Sequence, residues 1–363
     1  MPALSLPTLR RYAIARSLFT PRPLARALEA VGFVQADPIR APARAQDLTL
    51  RHRVTGYRAG DLERRYRALG IEEDFFVNYG FLTRDLHARL HPRRRVGAWP
   101  RPGKKVAEAV LAFVRDRGEV HPRDVDAHFA HGAVTNYWGG SSSATTHVLD
   151  HLHYRGLLRV AGRAAGIRCY APRDLPSDIE GVAARRGCQD AVVDAVVALY
   201  APVPSATLAW LVNRLRLAAP QWRADTPAML GRAKARLAGA RVAGIDWYWP
   251  ADETPAGEPP DDRVALLAPF DPVVWDRRRF EAFWDWRYRF EAYTPAAKRA
   301  FGYYAMPMLW RERIVGWANL VVQDGRLVPA LGYVAGRPPR ERTFPRALEA
   351  ELAAIRVFLG VDG

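Results

Sequence analysis

The feature that most constrains the fold is an order of elements that the sequence predicts twice in succession. In residues 101–180, apolar side chains at helical spacing predict a helix over 105–116, a short helix over 122–128 and a third helix over 142–154. The segment "GLLRVAGRAAGIRCYA" that follows indicates two strands around a glycine-containing turn. Residues 181–260 repeat this order and end in "ARVAGIDWYWP". Helix, short helix, helix and hairpin is the order of a winged-helix unit.

The two ends of the chain differ from this repeated middle. Gly97, Pro100, Pro102 and Gly103 indicate a linker near residue 100, and "ADETPAGEPPDD" indicates another near residue 262. Beyond it, alternating β-forming residues predict strands, with hairpin tips at Arg311-Glu312-Arg313 and Asp324-Gly325 and a terminal helix over 344–359. The stretch 72–91 mixes aromatic residues without a clear period, and we leave it unassigned.

The positive charge is concentrated near the N-terminus. The 363 residues include 54 Lys and Arg against 38 Asp and Glu, a formal net charge of +16 at pH 7. Residues 1–100 hold 18 basic and 9 acidic residues, so more than half of the net charge lies there. A concentrated positive field favours a polyanionic partner, of which nucleic acid is the commonest. Because only four of the basic residues are lysine, a GC-rich genome is the alternative explanation.

Composition excludes several classes of protein. Apolar residues at 49% and charged residues at 25% are typical of globular chains and exclude a disordered one. No run of 18 uncharged apolar residues predicts a transmembrane helix, and Arg10, Arg11 and Arg16 interrupt the N-terminal apolar pattern, unlike a signal peptide. Cys169 and Cys188 are too few for a disulfide framework, which indicates a reducing cytosol. We therefore expect a cytoplasmic protein with no membrane partner.

Gln35 and Asp37 are the most specific candidates for chemistry. In the extended segment predicted at 33–37, residues two apart point the same way, so the amide and the carboxylate share one face. A carboxylate can hold a water and stabilise a nearby cation, and an amide can orient that water. The structural alternative is a turn, because Asp37-Pro38 commonly begins one.

The nine histidines raise the question of a metal. His147 and His151 lie on one predicted helix face with His153 close behind, a spacing that zinc ligands use. No cysteine or carboxylate cluster accompanies them, and their helix is the expected DNA-facing helix of its unit, so we expect no metal. A phosphate-binding glycine loop and a Gly-x-Ser-x-Gly elbow are both missing from the sequence, and we expect no cofactor.

Several stretches resemble one known family. Gln35-x-Asp37, standing after "LEAVGFV" and before "ARAQDLTLRHRV", resembles the Gln-x-Asp motif of the YcaQ-like branch of the AlkZ/YcaQ family of bacterial DNA glycosylases. The segment from "NYWGG" to "GIRCY" is similar to the family's second winged helix. The most specific matches are Pro269-Phe270-Asp271, Trp275-Asp276-Arg277-Arg278, Tyr288-x-x-Glu291-x-Tyr293 and Lys298-Arg299-x-x-Gly302-Tyr303-Tyr304. The resemblance covers about residues 5–335.

The resemblance implies an α+β fold of three tandem winged-helix (helix-turn-helix) units plus a C-terminal β-rich region. Together with the linkers, it places the unit with the catalytic motif at 1–100, the second unit at 101–180, the third at 181–260, and the β-rich region with its terminal helix at 261–363.

The resemblance also implies hydrolysis of the N-glycosidic bond of alkylated purines in duplex DNA, N7-alkylguanine above all, with bulky adducts or interstrand crosslinks in some members. Asp37 is then expected to activate water and stabilise the oxocarbenium-like sugar, with Gln35 as its partner. The lysines lie away from the motif in the sequence, so we expect a monofunctional enzyme. The alternative is a non-enzymatic winged-helix protein, a transcription regulator or lesion binder.

Further residues are expected to meet the DNA. The candidate DNA contacts are Arg51, Arg53, Ser141, Ser142, Arg163, Arg168, Arg311 and Arg313, for each of which a solvated surface position is the alternative. Gln46 and Asn78 stand where YcaQ-like members carry histidines, and we expect them beside the lesion, with an altered substrate range. We expect a monomer that acts on alkylated duplex DNA in the bacterial cytoplasm, associated with the nucleoid.

Overall fold

The structure, a computed structural model, describes residues 4–94, 96–99, 103–129, 133–135, 141–174, 179–256 and 261–362. Its helices are α1 (Leu6–Ser17), α2 (Leu24–Val31), α3 (Ala45–Leu50), α4 (Asp61–Arg65), α5 (Arg84–Arg89), α6 (Lys104–Arg117), α7 (Pro122–Phe129), α8 (Ala144–Tyr154), α9 (Val182–Tyr200), α10 (Ser205–Arg214), α11 (Thr226–Arg236), α12 (Pro272–Trp275), α13 (Arg277–Trp284) and α14 (Thr343–Leu359). No helix in these ranges is long and apolar enough to cross a membrane.

Short strands separate the helices, and longer ones dominate the C-terminal region. The strands are β1 (Phe33–Gln35), β2 (Ile71–Phe75), β3 (Tyr79–Thr83), β4 (Ala133–Thr135), β5 (Ser141–Ser143), β6 (Leu158–Ala164), β7 (Ile167–Pro172), β8 (Val203–Pro204), β9 (Ala238–Val242), β10 (Ile245–Trp249), β11 (Val264–Leu266), β12 (Met306–Trp310), β13 (Arg313–Gln323) and β14 (Arg326–Tyr333).

The second winged-helix order consists of α6, α7, α8 and the antiparallel hairpin β6–β7. Ala165 and Gly166 form the hairpin turn with φ of 48° and 82°, a left-handed pair that glycine favours. Val120 forms an isolated antiparallel bridge to Tyr170 of β7. The helices bury their apolar faces, including Leu149, in a core shared with the hairpin. The helices predicted over 105–116 and 122–128 are confirmed, whereas the third begins at Ala144 and not at residue 142, since Ser141–Ser143 form β5.

The third winged-helix order consists of α9, β8, α10, α11 and the hairpin β9–β10. Its three strands pair in the order β8-β10-β9, with all pairings antiparallel. Trp247 of β10 is fully buried and stacks on Phe283 of α13 with ring centroids 5.0 Å apart. This hairpin is therefore anchored to the helices of the C-terminal region.

The first hundred residues follow the same order, with α2, β1, α3, α4 and the antiparallel hairpin β2–β3. The stretch left unassigned in the sequence is this hairpin and α5, which follows it. The α+β fold class with its recurring winged-helix order is thus confirmed.

The C-terminal region is an antiparallel sheet in the order β11-β12-β13-β14, followed by α14. Its hairpins turn at Arg311-Glu312 and Asp324-Gly325, as predicted. Phe344 of α14 is buried and packs edge-on against Trp310 with ring centroids 5.2 Å apart. The apolar face of the terminal helix therefore covers the sheet.

The chain forms two compact units that are discontinuous in sequence. The first comprises Met1–Leu62, Val193–Val212 and Ala228–Gly363, and the second comprises Glu63–Val192 and Asn213–Pro227. The N-terminal helix belongs with the C-terminal region because Ile14 packs into the core of α12 and α13. The predicted division at 1–100, 101–180, 181–260 and 261–363 follows element order and stays a prediction, since long-range packing joins segments across it.

Candidate active site

Gln35 ends β1, and Asp37 lies in the turn that follows. Asp37 Oδ1 accepts a hydrogen bond from the backbone N–H of Ile39 at 2.9 Å, the local contact expected of a turn-forming Asp before Pro38. The carboxylate is half-buried, and within the described residues its second oxygen accepts no hydrogen bond. One oxygen therefore holds the turn, while the other is available to a water or a substrate.

Trp275 fixes the orientation of Gln35. Gln35 is 7% exposed, and its Oε1 accepts a hydrogen bond from Trp275 Nε1 at 2.8 Å. The Trp275 ring is itself held by Tyr200 and Trp210, with centroids 4.7 Å and 5.2 Å away. Because an indole N–H only donates, this bond makes the amide oxygen the acceptor and leaves the Gln35 NH₂ group to donate.

Three aromatic residues, which we call the aromatic wall, lie in the same unit as Asp37. Phe290 makes edge-to-face contacts with Tyr293 and Tyr304, with centroids 6.1 Å and 5.5 Å away. Tyr293 is 75% exposed, whereas Tyr304 is 2% exposed. Bases stack on exposed aromatic rings in many nucleic-acid-binding proteins. The wall therefore exposes one ring, on which a base can stack, and buries another.

Glu291 and Asn319 hold the chain that carries the aromatic wall. The buried Glu291 carboxylate accepts the N–H of Phe301 at 2.7 Å. Asn319 accepts the N–H of Tyr304 at 3.2 Å and donates to the Phe301 carbonyl at 2.7 Å. Gly302 has φ of +112°, and a Cβ there would lie 2.5 Å from Asn319 Nδ2. Glycine is therefore required for this close approach.

The pKa values of Asp37 and of two tyrosines of the aromatic wall are raised above their ordinary values. Burial raises the pKa of its carboxyl above the ordinary value, and the hydrogen bond from Ile39 partly opposes that rise. Burial, and after it the charge of Asp37, raise the pKa of the Tyr293 and Tyr304 phenols. Both phenols therefore stay protonated at neutral pH and serve as hydrogen-bond donors. A half-buried carboxylate with one unbonded oxygen suits a general base.

The predictions that Arg53 and Arg51 contact DNA are wrong. Arg53 is fully buried and donates to both carboxylate oxygens of Asp271, at 2.8 Å and 3.0 Å. The Arg51 side chain is 5% exposed and forms an ion pair with Glu351. Both guanidinium groups are internal partners of acids far away in the sequence, so neither presents its charge to a polyanion.

Arg163 and Arg168 of the wing hairpin have partners inside their own unit. The Arg163 side chain is 16% exposed and pairs with Glu73 of β2. Arg168 pairs with Asp150 of α8 at 2.8 Å and donates to the Tyr79 hydroxyl at 2.9 Å. These bonds fix the hairpin against β2, β3 and α8. DNA contact by either arginine stays a prediction, and it requires that these partners be exchanged.

Arg311 and Arg313 flank the predicted hairpin tip between β12 and β13. Their side chains are 39% and 52% exposed, and they pair with Asp262 and Glu341. Exposed ion pairs of this kind contribute little and are readily exchanged. Contact of this tip with DNA stays a prediction.

The remaining predicted residues are untested. Gln46 of α3 is 1% exposed, so its influence on a lesion would pass through its neighbours. Asn78, in the turn between β2 and β3, accepts a hydrogen bond from Arg214 at 2.8 Å. Ser141 and Ser142 belong to β5, but their side chains lie outside the part of the chain that the structure describes. All four roles stay predictions.

A buried cluster in the second unit contains donor types that metals accept. Asp74 Oδ2 lies 2.8 Å from His87 Nε2 and 3.1 Å from His91 Nε2. Arg93 donates to Asp74 Oδ1 at 3.0 Å, and the Arg173 guanidinium lies 3.1 Å from His87 Nε2. With two guanidinium cations beside one carboxylate, a divalent ion would add charge to a buried site that is already positive. We interpret the cluster as a hydrogen-bond network of neutral histidines.

This network predicts a pH-dependent stability. Burial lowers the pKa of His87 to about 3 and of His91 to about 4, while the hydrogen bonds to Asp74 oppose the shift. The unfolded chain takes up these protons near pH 6.5, so stability is present above that pH and is lost as the pH falls toward 4. Between pH 7 and pH 5, His91→Gln should lose about 2 kcal/mol less free energy of unfolding than the wild type.

Urea unfolding at the two pH values measures this difference. The exposed His128 offers a matched control, because His128→Gln should keep the wild-type dependence on pH. Equal losses in the wild type and His91→Gln would contradict the interpretation.

Sequence reasoning assigned no role to Trp275, Tyr293 or Tyr304. Trp275 meets Gln35 across 240 positions of sequence, a distance at which spacing carries no information. The available signal was the resemblance, since all three residues belong to its most specific stretch. The resemblance showed that these residues match the family, but it did not show what they contact.

The chain is similar to known proteins over most of its length. A family model described as DNA glycosylase AlkZ-like matches residues 28–358, a range that includes Gln35, Asp37 and the aromatic wall. The chain is also similar to the solved structure of the Streptomyces sahachiroi DNA glycosylase AlkZ, with a TM-score of 0.61 and 16% sequence identity. That similarity covers 99% of this chain and 97% of the other. At this identity the structural similarity establishes a common fold.

Proposed function

The chain belongs to the AlkZ-like family of DNA glycosylases, and we propose that it releases N7-alkylated purines from duplex DNA by hydrolysing the N-glycosidic bond. The observation that carries the proposal is the Asp37 carboxylate, half-buried, with one oxygen unbonded within the described residues. Gln35 beside it has a fixed amide whose NH₂ group is left to donate. The net charge of +16 favours the approach of DNA to the protein as a whole.

The chemistry requires a stabilised cation and a positioned water. Alkylation at N7 gives the purine a positive charge, so the base departs without an acid catalyst. The remaining barrier lies in the oxocarbenium-like sugar and in the attack of water. An ionised Asp37 stabilises that cation through space and accepts a proton from the water, and general-base catalysis typically contributes about 10²–10⁴-fold. Because burial raises the pKa of Asp37, activity is expected to decline as the pH falls toward that value.

Gln35 is proposed to orient the attacking water through its NH₂ group. Gln35→Ala removes that donor and the acceptor for Trp275, and we expect the single-turnover rate of base release to fall about 100-fold. Affinity for the duplex should change little, because the amide acts on the water rather than on the DNA backbone. The exposed Gln323 offers the control, and Gln323→Ala should keep the wild-type rate. An unchanged rate for Gln35→Ala would remove Gln35 from the mechanism.

The reaction is proposed to be monofunctional. A lyase activity needs an amine nucleophile. The lysines of the chain are Lys104, Lys105, Lys234 and Lys298, and no hydrogen bond within the described residues joins any of them to Gln35 or Asp37. The expected product is an intact strand with an abasic site.

A duplex that carries a single 7-methylguanine tests the proposal. The strand should break only after alkali treatment, which cleaves at abasic sites. Breakage without alkali would contradict the monofunctional reaction. Binding without cleavage on every alkylated duplex would overturn the proposed reaction and favour a non-enzymatic winged-helix protein.

Bulky N7 adducts, including interstrand crosslinks, are proposed substrates as well. A cavity of about 290 Å³ lies beside Trp275 and is also lined by Trp210 and Arg278. This volume is at the lower limit of ordinary ligand pockets and exceeds what a methyl group needs. We expect bulky adducts to be released at rates comparable to that of 7-methylguanine. Activity confined to the small adduct would contradict this extension.

A further inference from the structure

Trp210 of α10 presents an indole ring that packing leaves largely uncovered. The residue is 46% exposed, whereas Trp247 and Trp310 are fully buried. Its ring lies against that of Trp275, with centroids 5.2 Å apart and an angle of 52° between the ring planes. Tryptophan is enriched at surfaces that bind other molecules, because its large flat ring contributes apolar contact. The exposed ring is therefore a candidate for contact with the substrate.

This ring forms one wall of the cavity of about 290 Å³, and Trp275 forms another. The same Trp275 indole donates its N–H to Gln35 at 2.8 Å, so one side chain connects the cavity to the proposed catalytic pair. In an N7-alkylated purine, N7 and the nitrogen of the scissile bond belong to the same five-membered ring. A substituent on N7 therefore begins close to the bond that Gln35 and Asp37 are proposed to hydrolyse, and it can extend into the cavity.

Two of the three charged side chains that line the cavity are already bonded. Asp276 accepts hydrogen bonds from the Thr207 hydroxyl and from the backbone N–H of Arg278. The Arg277 guanidinium donates to the Pro269 carbonyl at 2.8 Å. The exposed Arg278 guanidinium makes no hydrogen bond or ion pair within the described residues. Its charge is available to a DNA phosphate, while a group inside the cavity meets two indole rings.

We propose that Trp210 is a specificity-determining residue whose indole stacks on a flat aromatic group carried by the N7 substituent of the lesion. The inference rests on the proposed release of bulky N7 adducts and names the adducts that the cavity favours. A flat ring covers the face of an indole, and aromatic pairs attract one another beyond the effect of the apolar area that they bury. A saturated ring of the same size is puckered and buries area without this additional attraction.

Two duplexes test the proposal, one with a single 7-benzylguanine and one with a single 7-(cyclohexylmethyl)guanine. The two substituents share a carbon skeleton, but only the first is flat and aromatic. Single-turnover release is measured over a range of protein concentrations. We expect the half-saturating protein concentration to be about 5–10-fold lower for the benzyl adduct. The maximal rates should be comparable, because stacking stabilises the bound substrate and the transition state alike.

Trp210→Leu is expected to remove this preference by raising the half-saturating concentration for the benzyl adduct about 5–10-fold. If Trp210 acts only by holding Trp275 and Gln35, the variant lowers both maximal rates by the same factor and keeps the preference, which overturns the proposal. An equal rise in the half-saturating concentration for a 7-methylguanine duplex also overturns it, because the ring then stacks on a base of the DNA.

Tyr303→Leu is the matched control. Tyr303 is 44% exposed, close to the value for Trp210, and it does not line the cavity. This variant should keep the wild-type preference for the benzyl adduct. Loss of the preference in both variants would assign it to exposed aromatic rings in general and would overturn the specific role of Trp210.

Binding without base release separates this inference from the proposed function. The full-length protein is titrated with the same two duplexes, each with a 2′-fluoro sugar at the lesion, which keeps the base attached because fluorine destabilises the oxocarbenium-like sugar. A lower Kd for the benzyl duplex that disappears in Trp210→Leu supports the stacking even if no lesion is released from ordinary duplexes, in which case only the proposed function fails. Release of both adducts with equal Kd values overturns the stacking alone.

Discussion

Asp37→Asn is expected to lower the single-turnover rate of 7-methylguanine release by about 10²–10⁴-fold. The substitution keeps the size of the side chain and an oxygen that can accept the Ile39 N–H. It removes the negative charge that stabilises the sugar cation and the base that accepts the proton from water. Affinity for the lesion-containing duplex should be equal or slightly higher, because one negative charge beside the DNA is lost.

Asp85→Asn is the matched control for this experiment. Asp85 pairs with Arg89 on the surface, and its side chain is 77% exposed. The substitution changes the net charge of the protein by the same amount and should leave the rate at the wild-type value. If Asp37→Asn retained more than a tenth of the wild-type rate, Asp37 would not be the general base.

Asp271→Asn is expected to lower the free energy of unfolding by about 3–5 kcal/mol. Arg53 and Asp271 are both fully buried and bonded through two parallel hydrogen bonds. Removing the carboxylate charge leaves the guanidinium buried and uncompensated, which costs far more than the pair contributes. Asp271 also caps α12 by accepting the N–H of Val273 at 3.0 Å, and because the Asn oxygen can accept the same bond, the expected loss comes from the unpaired guanidinium.

Urea unfolding measures the loss in free energy of unfolding, and two further variants serve as references. Asp246→Asn breaks an exposed pair with Arg241 and should cost less than about 1 kcal/mol. Combining Arg53→Met with Asp271→Asn removes both charges and should recover more than half of the loss. A single Asp271→Asn variant as stable as Asp246→Asn would show that the buried pair is not needed.

The winged-helix order could be predicted because its signals are local. The helix predicted over 122–128 from its apolar spacing spans Pro122–Phe129 in the structure. In α6 and α8 the spacing is equally clear, since each helix turns one face to a core formed by its own segment. The hairpin tips at Arg311-Glu312 and Asp324-Gly325 were predicted from turn chemistry alone.

Strand β2 could not be predicted because its buried side chains are acids. Glu72, Glu73 and Asp74 are all nearly inaccessible to solvent. The sequence of the strand therefore lacks the alternation of apolar and polar residues that predicts a half-buried strand. Their partners are arginines from elsewhere in the unit, namely Arg159, Arg163 and Arg93. Composition cannot distinguish such internal ion pairs from surface charge.

The same limitation explains the wrong predictions for Arg51 and Arg53. Both looked like surface arginines in a basic segment, and the acids that neutralise them lie 300 and 218 positions away. Gln35 and Asp37 were found because their chemistry depends on neighbours two residues apart. The groups that tune them, Trp275 above all, are brought there by tertiary packing.

The discontinuity of the first compact unit has a consequence for biosynthesis. Gln35 and Asp37 lie near the beginning of the chain, whereas Trp275, which orients Gln35, lies after Val264. A nascent chain that has not yet released the β11–β14 region from the ribosome therefore contains the proposed catalytic pair without the indole that holds Gln35. Since chains are synthesised from the N-terminus, a truncated translation product should be inert toward DNA. The order of synthesis thus restricts a base-removing activity to finished molecules.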